Sequence, residues 1–454
     1  MARNWSTYRE LLLPALSGRR RAVETELRQA IRDGRLATGA RLPSSRDLAQ
    51  QLDVSRGTVT AAYAQLVGEG YLSAKRGSGT TVTAAGGWPS DSGPLPDAPP
   101  HWRYDLHPRV PALSAFPRAE WVAAYRAGLA GLGDEELGYP PPAGCAVLRA
   151  ELSDYLGRVR AVVSEPDAVV FTNGSAQGLA LFARTLVEEG HTSIAVETPG
   201  HFGVLEMLRS HGLSVVTVPV DDLGIRVDLL AATGTRAVHV TAAHQFPLGV
   251  VLHPTRRHEL VKWARDVDGL VIEDDYDAEH RYDRPAVGAV QALDPSRVVY
   301  QGSASKVLAP GLRLGWMVAP EPLRDKMIRR KRYEDMGSDV LHQAAFAHLL
   351  RTGGYDRHLR RTRALYRKRR DALLGALAVE LPSWEPVGVA AGLHVVVRLP
   401  AGTDDLAVQE RAAHRGVNVL ALARYSRTPM WPGLVLGYAS LSPDRLREAV
   451  RELR

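Results

Sequence analysis

The sequence has a single cysteine, Cys145, so no disulfide can form within the chain. Its fifteen histidines include no His-Glu-x-x-His motif and no Cys/His pairing at metal-ligand spacing, so no metal site is expected. No apolar run reaches the roughly 18 residues that a membrane span needs, and the N-terminal region lacks a signal-peptide core. These absences predict a protein of a reducing, cytoplasmic compartment with no membrane segment.

Positive charge is concentrated at one end of the 454 residues. Residues 1–84 contain thirteen lysines and arginines against seven acidic residues, which accounts for +6 of the net charge of +7. The remaining residues are close to neutral. Because the chain is 45% hydrophobic, it can form two or three domains, and its basic N-terminal part indicates a polyanionic partner.

A helix-turn-helix is predicted in the basic part from two short amphipathic segments that a tight turn separates. Serines at N-cap positions precede both segments, and a longer helical pattern comes before them. The predicted helices cover residues 24–35, 46–52 and 56–66. In a helix-turn-helix the last of these enters the major groove of DNA with its N-terminal residues toward the bases.

A basic hairpin follows the third predicted helix. Strands are expected over residues 71–74 and 80–83, and Lys75 and Arg76 at the glycine-containing tip can neutralise phosphates. This arrangement is typical of a DNA-binding wing. The alternative is a structural three-helix module whose charged face is merely solvated.

The segment over residues 24–83 resembles the winged helix-turn-helix of the GntR family. The resemblance is carried by Arg-Leu-Pro-Ser-Ser-Arg-Asp-Leu-Ala at 41–49, Val-Ser-Arg-Gly-Thr-Val at 54–59 and Gly-Ser-Gly-Thr at 77–80. It implies binding to a double-stranded DNA operator. The residues expected to face DNA are Arg41, Arg46, Ser55, Arg56, Thr58, Lys75, Arg76 and Gly77.

Domain boundaries follow from composition. Residues 85–111 contain seven prolines and little periodicity, which is typical of a semi-extended linker. We therefore expect a DNA-binding head over 10–84, a linker over 85–117 and a second domain over 118–454. Alternating apolar strands and helical patterns from residue 118 onward predict an α/β domain with a mostly parallel sheet and a small C-terminal α+β subdomain.

A lysine loop follows a predicted buried strand that ends at Tyr300. Lys306 can condense with an aldehyde, while Ser303, Ser305 and Arg313 offer hydroxyls and a guanidinium suited to a phosphate. An amine nucleophile beside a phosphate cradle indicates pyridoxal 5′-phosphate (PLP). The alternative is a solvated surface lysine, which the following Pro-Gly-Leu-Arg-Leu-Gly run disfavours.

Polar clusters follow the other predicted strands, at the edge where open α/β sheets bind ligands. Asp274 and Tyr276 come directly after one such strand. A carboxylate can keep the pyridine nitrogen of PLP protonated, and a phenol can bond the 3-oxygen of the ring. An ordinary solvated acidic loop is the alternative.

The run from Ser303 to Gly315 resembles the Ser-x-Ser-Lys signature of fold-type I aminotransferases, and the whole layout resembles the MocR-type (GabR-like) regulators. That resemblance implies a head-to-tail homodimer that binds PLP and responds to a small-molecule amine, an amino acid or a B6 vitamer. It implies cofactor roles for Lys306, Asp274, Tyr276, Ser303, Ser305 and Arg313, and a phosphate loop at Gly174, Ser175 and Ala176. Tyr139 is expected to reach the phosphate of the neighbouring subunit.

Three departures from the aminotransferase pattern weaken an enzymatic function. Phe246 replaces the usual asparagine, so His244 is a candidate for the missing hydrogen bond to the cofactor ring. His201 stands where an aromatic residue commonly covers that ring. Near the C-terminus, the arginine that grips a substrate carboxylate is missing; Arg424 and Arg427 are candidates to replace it for an effector, although surface positions would also suit both.

The sequence therefore predicts a PLP-binding transcriptional regulator without sustained turnover. A working aminotransferase with an appended DNA-binding head is the alternative, because the same lysine, aspartate and tyrosine would serve it. A DNA-binding protein with a decayed, cofactor-free second domain is a third possibility, which the intact lysine loop opposes.

Overall fold

The computed structural model describes residues 20–75, 79–83, 101–108, 110–277, 279–282, 287–388, 391–426 and 430–454. The chain divides into two compact units, residues 1–100 and 101–454. Each is considered by itself. No helix in the described part of the chain is long and apolar enough to cross a membrane.

The described part of the first unit consists of three helices and two paired strands around one apolar core. The elements are α1 (Arg20–Arg32), α2 (Ser45–Leu52), α3 (Arg56–Gly68), β1 (Leu72–Lys75) and β2 (Gly79–Val82). Leu27, Leu48, Val59 and Leu66 are completely buried between the helices. The predicted winged helix-turn-helix is thereby confirmed as the fold of this unit.

Side-chain caps set the two helices of the helix-turn-helix. Ser44 accepts a hydrogen bond from the amide of Asp47, and Ser55 accepts one from the amide of Thr58, so both helices begin where the sequence predicts. Asp53 ends α2 in the left-handed conformation, with φ of 52°. This tight turn directs α3 away from α2.

The second unit is built on a large, mostly parallel sheet. Among the described residues its eight strands are β4 (Val169–Asn173), β5 (Ser193–Thr198), β6 (Ser214–Asp221), β7 (Gly224–Ile225), β8 (Ala237–Val240), β9 (Leu270–Asp275), β10 (Val298–Ser303) and β11 (Leu314–Val318). Their spatial order is β4-β11-β10-β9-β8-β5-β6-β7. Strands β11 and β7 run antiparallel to their neighbours, while β10, β9, β8, β5 and β6 are parallel.

Helices cover both faces of this sheet, as its apolar strands require. Every residue of β8, β10 and β11 is buried, the pattern expected for strands without a solvated face. The covering helices are α4 (Arg118–Ala130), α5 (Ala146–Arg160), α6 (Ser175–Glu188), α7 (Phe202–Ser210), α8 (Val227–Ala231), α9 (Pro254–Asp266), α10 (Glu321–Asp335) and α11 (Val340–Arg351).

A smaller antiparallel sheet forms the C-terminal subdomain. Its strand order is β12 (Glu385–Val387), β13 (His394–Arg398), β16 (Gly433–Gly437) and β15 (Leu420–Ala421). The helices α12 (Gly354–Glu380), α13 (Asp405–His414) and α14 (Pro443–Glu452) belong to this end of the chain. The predicted fold class, a mostly parallel α/β domain with a small α+β subdomain, is confirmed.

The predicted linker over 85–117 extends too far toward the C-terminus. Residues 101–117 belong to the second unit, because β3 (Tyr104–Asp105) pairs in parallel with β14 (Val417–Asn418) of the subdomain. Tyr104 is buried there, and its amide donates to the carbonyl of Gly416. The head's first ten predicted residues, 10–19, and the linker segment 84–100 lie outside the described residues.

Candidate functional site

A cavity of about 540 Å³ lies at the carboxyl ends of the parallel strands. Residues at or just beyond the ends of β5, β8, β9 and β10 line it, together with Asp105, His107, Pro108 and Val110. Strand ends converge there because parallel strands all present their carboxyl ends at one edge of the sheet. Of the predicted cofactor residues, Lys306, Asp274, Tyr276, His201 and Ser175 lie on its wall.

Lys306 follows β10 and projects into the cavity. Burial lowers the pKa of its ammonium group, and the nearby carboxylates of Asp277 and Asp274 oppose that shift. The adjacent backbone is fixed, since His358 Nε2 lies 2.9 Å from the carbonyl oxygen of Val307. A lysine whose neutral form is favoured by burial is a better nucleophile toward a carbonyl carbon.

Asp274 presents an unused acceptor to the same cavity. Its Oδ1 is buried and receives no hydrogen bond from any described residue. On the other side, Oδ2 lies 3.6 Å from His239 Nε2, which also has no hydrogen-bond partner among the described residues. Buried carboxylate oxygens are rarely left without a donor, so this oxygen fits the N–H of a protonated pyridine ring.

Tyr276 is held by two residues behind it. Its hydroxyl donates to the carbonyl oxygen of His244 at 3.0 Å and lies 3.1 Å from His244 Nδ1. The same ring nitrogen lies 2.9 Å from Asp277 Oδ2. Burial raises the pKa of Tyr276 well above its ordinary value, with Asp277 adding to the shift, so the phenol stays protonated as a hydrogen-bond donor.

His244 does not line the cavity in the described chain, so its predicted direct bond to a cofactor ring has no support in this geometry. It lies behind the wall instead, in contact with the lining residues Tyr276 and Asp277. Asp277, by contrast, lies on the cavity wall and was missed by sequence reasoning. Its position three residues beyond Asp274 in the same acidic run was the available signal.

The predicted phosphate loop sits at the amino end of α6. Gly174 has φ of 83°, and a Cβ there would lie 2.5 Å from Nη2 of Arg313. The Arg313 guanidinium is exposed and donates to the carbonyl of Asn173 at 2.7 Å. No side chain caps α6, so its first amides are available to an anion.

Ser303 and Ser305 contribute hydroxyl groups beside this loop. The Ser303 hydroxyl donates to Ser305 Oγ at 2.7 Å, and the Ser305 amide donates back to Ser303 Oγ at 3.0 Å. Ser303 pairs with Gly315 across the sheet, where a Cβ on Gly315 would lie 2.6 Å from the Gly174 carbonyl carbon. Hydroxyls, a guanidinium and helix amides therefore gather around one point, which suits a phosphate.

Aromatic and imidazole rings form the rest of the wall. The ring centroid of Phe246 lies 5.6 Å from that of His201, 5.2 Å from that of Tyr425 and 5.2 Å from that of His394. Burial lowers the pKa of His394 to about 4, and the nearby His244 ring contributes, so His394 is neutral at pH 7. His201 is exposed at the mouth, where its ring can cover a bound planar group.

Two further predicted site residues, Tyr139 and Arg424, do not line this cavity. Tyr139 is 85% exposed and does not line it. Arg424 is exposed and donates to Gln409 Oε1 at 2.9 Å instead. Arg427 lies outside the described residues, and no arginine lines the cavity in the part of the chain that the structure describes.

In the first unit, the predicted DNA-facing side chains lie at the amino ends of α2 and α3 and on the hairpin. Arg46, Arg56 and Lys75 are exposed and form no ion pair with any described residue. Arg56 Nε donates to Ser45 Oγ at 3.4 Å, which places it near the start of α2. Ser55 and Thr58 share a hydrogen bond of 2.8 Å while capping α3.

Arg41 reaches the wing. Its backbone forms an isolated antiparallel β-bridge with Thr81, and a Cβ on Gly79 would lie 2.9 Å from the side-chain Nε of Arg41. Arg28, in contrast, bonds Glu24 at 2.6 Å and Glu69 at 2.7 Å, so its charge is compensated within the unit. Arg76 and Gly77, at the predicted tip, lie outside the described residues.

Two families match successive parts of the chain. Residues 19–82 match the family described as bacterial regulatory proteins, gntR family, and residues 111–453 match aminotransferase class I and II. An archaeal alanine:glyoxylate aminotransferase superposes with a TM-score of 0.71 at 26% identity. That match covers 77% of this chain and 89% of the aminotransferase.

Proteins similar over nearly the whole length are named as regulators. The chain is 33% identical to the probable rhizopine catabolism regulatory protein MocR of Rhizobium meliloti, covering 96% of this chain and 92% of that one. It is 34% identical to the HTH-type pyridoxine biosynthesis transcriptional regulator PdxR of Corynebacterium glutamicum, covering 94% and 93%. Their similarity extends through both units.

Proposed function

The chain belongs to the aminotransferase class I and II family and carries a gntR-family segment ahead of it, and from this we propose that it is a PLP-binding transcriptional regulator. It binds an operator through the first unit and a small effector through the second. The effector is an amine, an amino acid or a B6 vitamer. The site of action is the cytoplasm, where chromosomal DNA lies.

One observation carries the cofactor proposal: Lys306 shares a cavity of about 540 Å³ with the unpaired Oδ1 of Asp274. When bound, PLP supplies an aldehyde that bonds to an amine and a ring that stabilises negative charge. Lys306 provides that amine, and Asp274 receives the ring N–H. Tyr276, a protonated phenol on the same wall, would donate to the 3-oxygen by turning its O–H away from the His244 carbonyl, to which it donates in this structure.

The phosphate is assigned to the edge beside α6. Gly174, Ser175 and Ala176 offer helix amides, and the exposed guanidinium of Arg313 packs directly over Gly174. Ser303 and Ser305 supply hydroxyls. His201 covers the ring from the mouth of the cavity.

The effector shares this cavity with the cofactor, on the side walled by Phe246, His394 and Tyr425. An effector amine competes there with Lys306 for the cofactor's aldehyde. A carboxylate on the effector would need a cationic partner, for which Arg427 is the candidate and Arg424, bonded to Gln409, is less suited. Effector binding then alters the geometry of the two heads and the half-site spacing they can engage.

DNA binding is assigned to the exposed side chains of the first unit. Arg46, Arg56 and Lys75 lack an acidic partner among the described residues, so their charges are available to phosphates. Arg41, Ser55 and Thr58 lie beside them at the wing and at the start of α3. Arg76 and Gly77 complete the proposed surface.

A head-to-tail homodimer accounts for the exposed apolar residues around Tyr139. Leu137, Tyr139 and Met336 are 52%, 85% and 55% exposed, and Pro140 packs close to Gly337, which follows Met336. Exposed apolar side chains gathered in one place are typical of an interface. Tyr139 then reaches the phosphate of the partner protomer.

The rival function is an active aminotransferase, which the combination of Lys306, Asp274 and Tyr276 would also serve. Incubating the purified protein with a panel of amino acids and a 2-oxo acid separates the two. Sustained release of a new amino acid would establish the enzyme. A regulator would convert at most one equivalent.

The direct test is the visible absorption of the wild type and of a Lys306→Ala variant after adding PLP. We expect a band of the lysine-bound cofactor in the wild type and in the control Lys262→Ala, but not in Lys306→Ala. A wild type that remains colourless would overturn the cofactor assignment. Operator binding of Lys306→Ala, measured by fluorescence anisotropy, then reports whether the head acts without the cofactor.

A further inference from the structure

An ion pair between a completely buried lysine and a partly buried aspartate lies at the carboxyl end of α10, outside the cavity lining. Lys331 is 0% exposed, and its ammonium group donates to Asp335 Oδ2 at 2.6 Å and to Ser338 Oγ at 2.9 Å. Lysine is almost never fully buried unless it is paired, and a buried pair stabilises a fold only weakly. The pair therefore calls for an explanation beyond packing.

Asp335 connects this pair to the phosphate loop. Its Oδ2 also accepts from Gln177 Nε2 at 2.8 Å and from Asn173 Nδ2 at 3.3 Å. Gln177 Oε1 in turn accepts the amide of Asn173 at 2.8 Å. Asn173 and Gln177 flank Gly174, Ser175 and Ala176, so one carboxylate holds both ends of the loop.

Arg313 also holds the loop, because its guanidinium donates to the carbonyl oxygen of Asn173 at 2.7 Å. Asp335 itself is fixed from its other oxygen, because the Gly337 amide donates to Oδ1 at 2.9 Å. The contacts of Asp335 with Asn173 and Gln177, and of Arg313 with Asn173, therefore all involve residues that flank the predicted phosphate amides.

We propose that Asp335 and Lys331 are positioning residues for the cofactor phosphate. They orient the side chains of Asn173 and Gln177 and thereby hold the amides of residues 174–176 toward the anion. The inference rests on the proposed binding of PLP. Neither residue lines the cavity.

Charge balance supports this role. A lone carboxylate behind an anion site would repel the anion, but Lys331 compensates the charge of Asp335 at 2.6 Å. The neutral pair can orient amide groups without weakening the positive end of α6 or the charge of Arg313. Removing either partner both loosens the loop and leaves a buried charge uncompensated.

The test compares PLP with pyridoxal, which has the same aldehyde and ring but no phosphate. Affinity is measured from the absorption band of the lysine-bound ligand in wild type, Asp335→Asn and Lys331→Met. We expect PLP affinity to fall about tenfold or more, which corresponds to loss of a charge-assisted contact, and pyridoxal affinity to change less than about twofold.

The chain offers a matched control in α9. Lys262 and Asp266 form the same i,i+4 pair but are exposed, so Asp266→Asn and Lys262→Met are expected to leave both affinities unchanged. Gln177→Met keeps the ion pair intact while removing the shorter of its two links to the loop, so that only the 3.3 Å bond from Asn173 remains, and it should show the same selective loss of PLP affinity. If Asp335→Asn or Lys331→Met fails to fold, the affinities of Gln177→Met for PLP and pyridoxal test the proposal instead.

If the substitutions lowered the affinities for PLP and pyridoxal equally, the pair would have only a general structural role, and the proposal would be overturned. Unchanged PLP affinity in Gln177→Met and in the charge variants would do the same. A wild type without any PLP band would instead mean that the cofactor assignment has failed, so the two failures are distinguishable.

Discussion

Asp274 and Asp275 are neighbours at the end of β9, yet their carboxylates serve opposite sides of the sheet. Asp274 lies on the cavity wall, whereas Asp275 Oδ2 accepts from Arg160 Nε at 2.6 Å and from the Tyr300 hydroxyl at 2.7 Å. Successive side chains of a strand point to opposite faces, which separates the two roles. Adjacent substitutions therefore have different consequences.

Asp275→Asn is expected to reduce the free energy of unfolding by about 3–5 kcal/mol, because it leaves the buried Arg160 without its charge partner. Both residues are almost completely buried, so solvent cannot compensate. Urea denaturation followed by circular dichroism measures the change.

The neighbouring variant Asp274→Asn provides the contrast. It is expected to keep near-wild-type stability, because no described residue hydrogen-bonds its Oδ1, but to lose affinity for PLP. If Asp274→Asn were the more destabilised of the two, the division of roles within β9 would be wrong.

Gly174→Ala is expected to weaken PLP binding about tenfold or more. The added Cβ would lie 2.5 Å from Arg313 Nη2 and displace the guanidinium from the loop. Gly190 is the matched control, since it has nearly the same backbone angle, φ of 82°, but open space around it. Both alanines lose about 1 kcal/mol or more of stability to backbone strain, and Gly174→Ala loses more because ψ of 167° places Gly174 in a region that is almost exclusive to glycine, but only Gly174→Ala should change the affinity.

Sequence patterns located the central chemistry because that part of the site is local. Ser303, Ser305 and Lys306 lie within four residues at the end of β10, and Asp274 and Tyr276 lie two residues apart at the end of β9. Their convergence follows from the rule that parallel strands present their carboxyl ends at one edge. The caps at Ser44 and Ser55 likewise predicted where α2 and α3 begin.

Local sequence patterns did not predict contacts between residues that lie far apart in the chain. The two-residue strand β3 is defined only by its pairing with β14, more than 300 residues away. The predicted linker therefore included residues 101–117, which belong to the second unit. Asp335 meets Asn173 across about 160 residues and has no motif of its own. The position of His244 behind Tyr276 also depends on side-chain packing that spacing does not encode.

The pH dependence of stability should reflect Glu279, whose pKa is raised to about 7 by burial, with the charge of Asp275 adding to the shift. The folded state then holds a proton that the unfolded state releases near pH 4.5. This contribution to stability is complete below pH 4.5 and is lost as the pH rises through about 7. At pH 8, Glu279→Gln should be more stable than the wild type by about 3 kcal/mol.

Buried histidines titrate in the same range and with the opposite sign, since burial lowers the pKa of His280 to about 4. The informative quantity is therefore the difference between variant and wild type in urea denaturation from pH 5 to pH 8. The exposed Glu410→Gln serves as control and should give a flat difference. A flat difference for Glu279→Gln would show that Glu279 keeps its ordinary pKa.

Arg56→Ala is expected to weaken operator binding and to lower the slope of log affinity against log salt by about one, because one phosphate contact is lost. Its PLP band should not change. Arg28→Ala removes a charge that Glu24 and Glu69 already compensate, so it should destabilise the head by about 1 kcal/mol and leave the salt slope intact. Anisotropy titrations of both variants at several salt concentrations decide between a direct contact and general damage. Equal slopes for Arg56→Ala and the wild type would remove Arg56 from the DNA-binding surface.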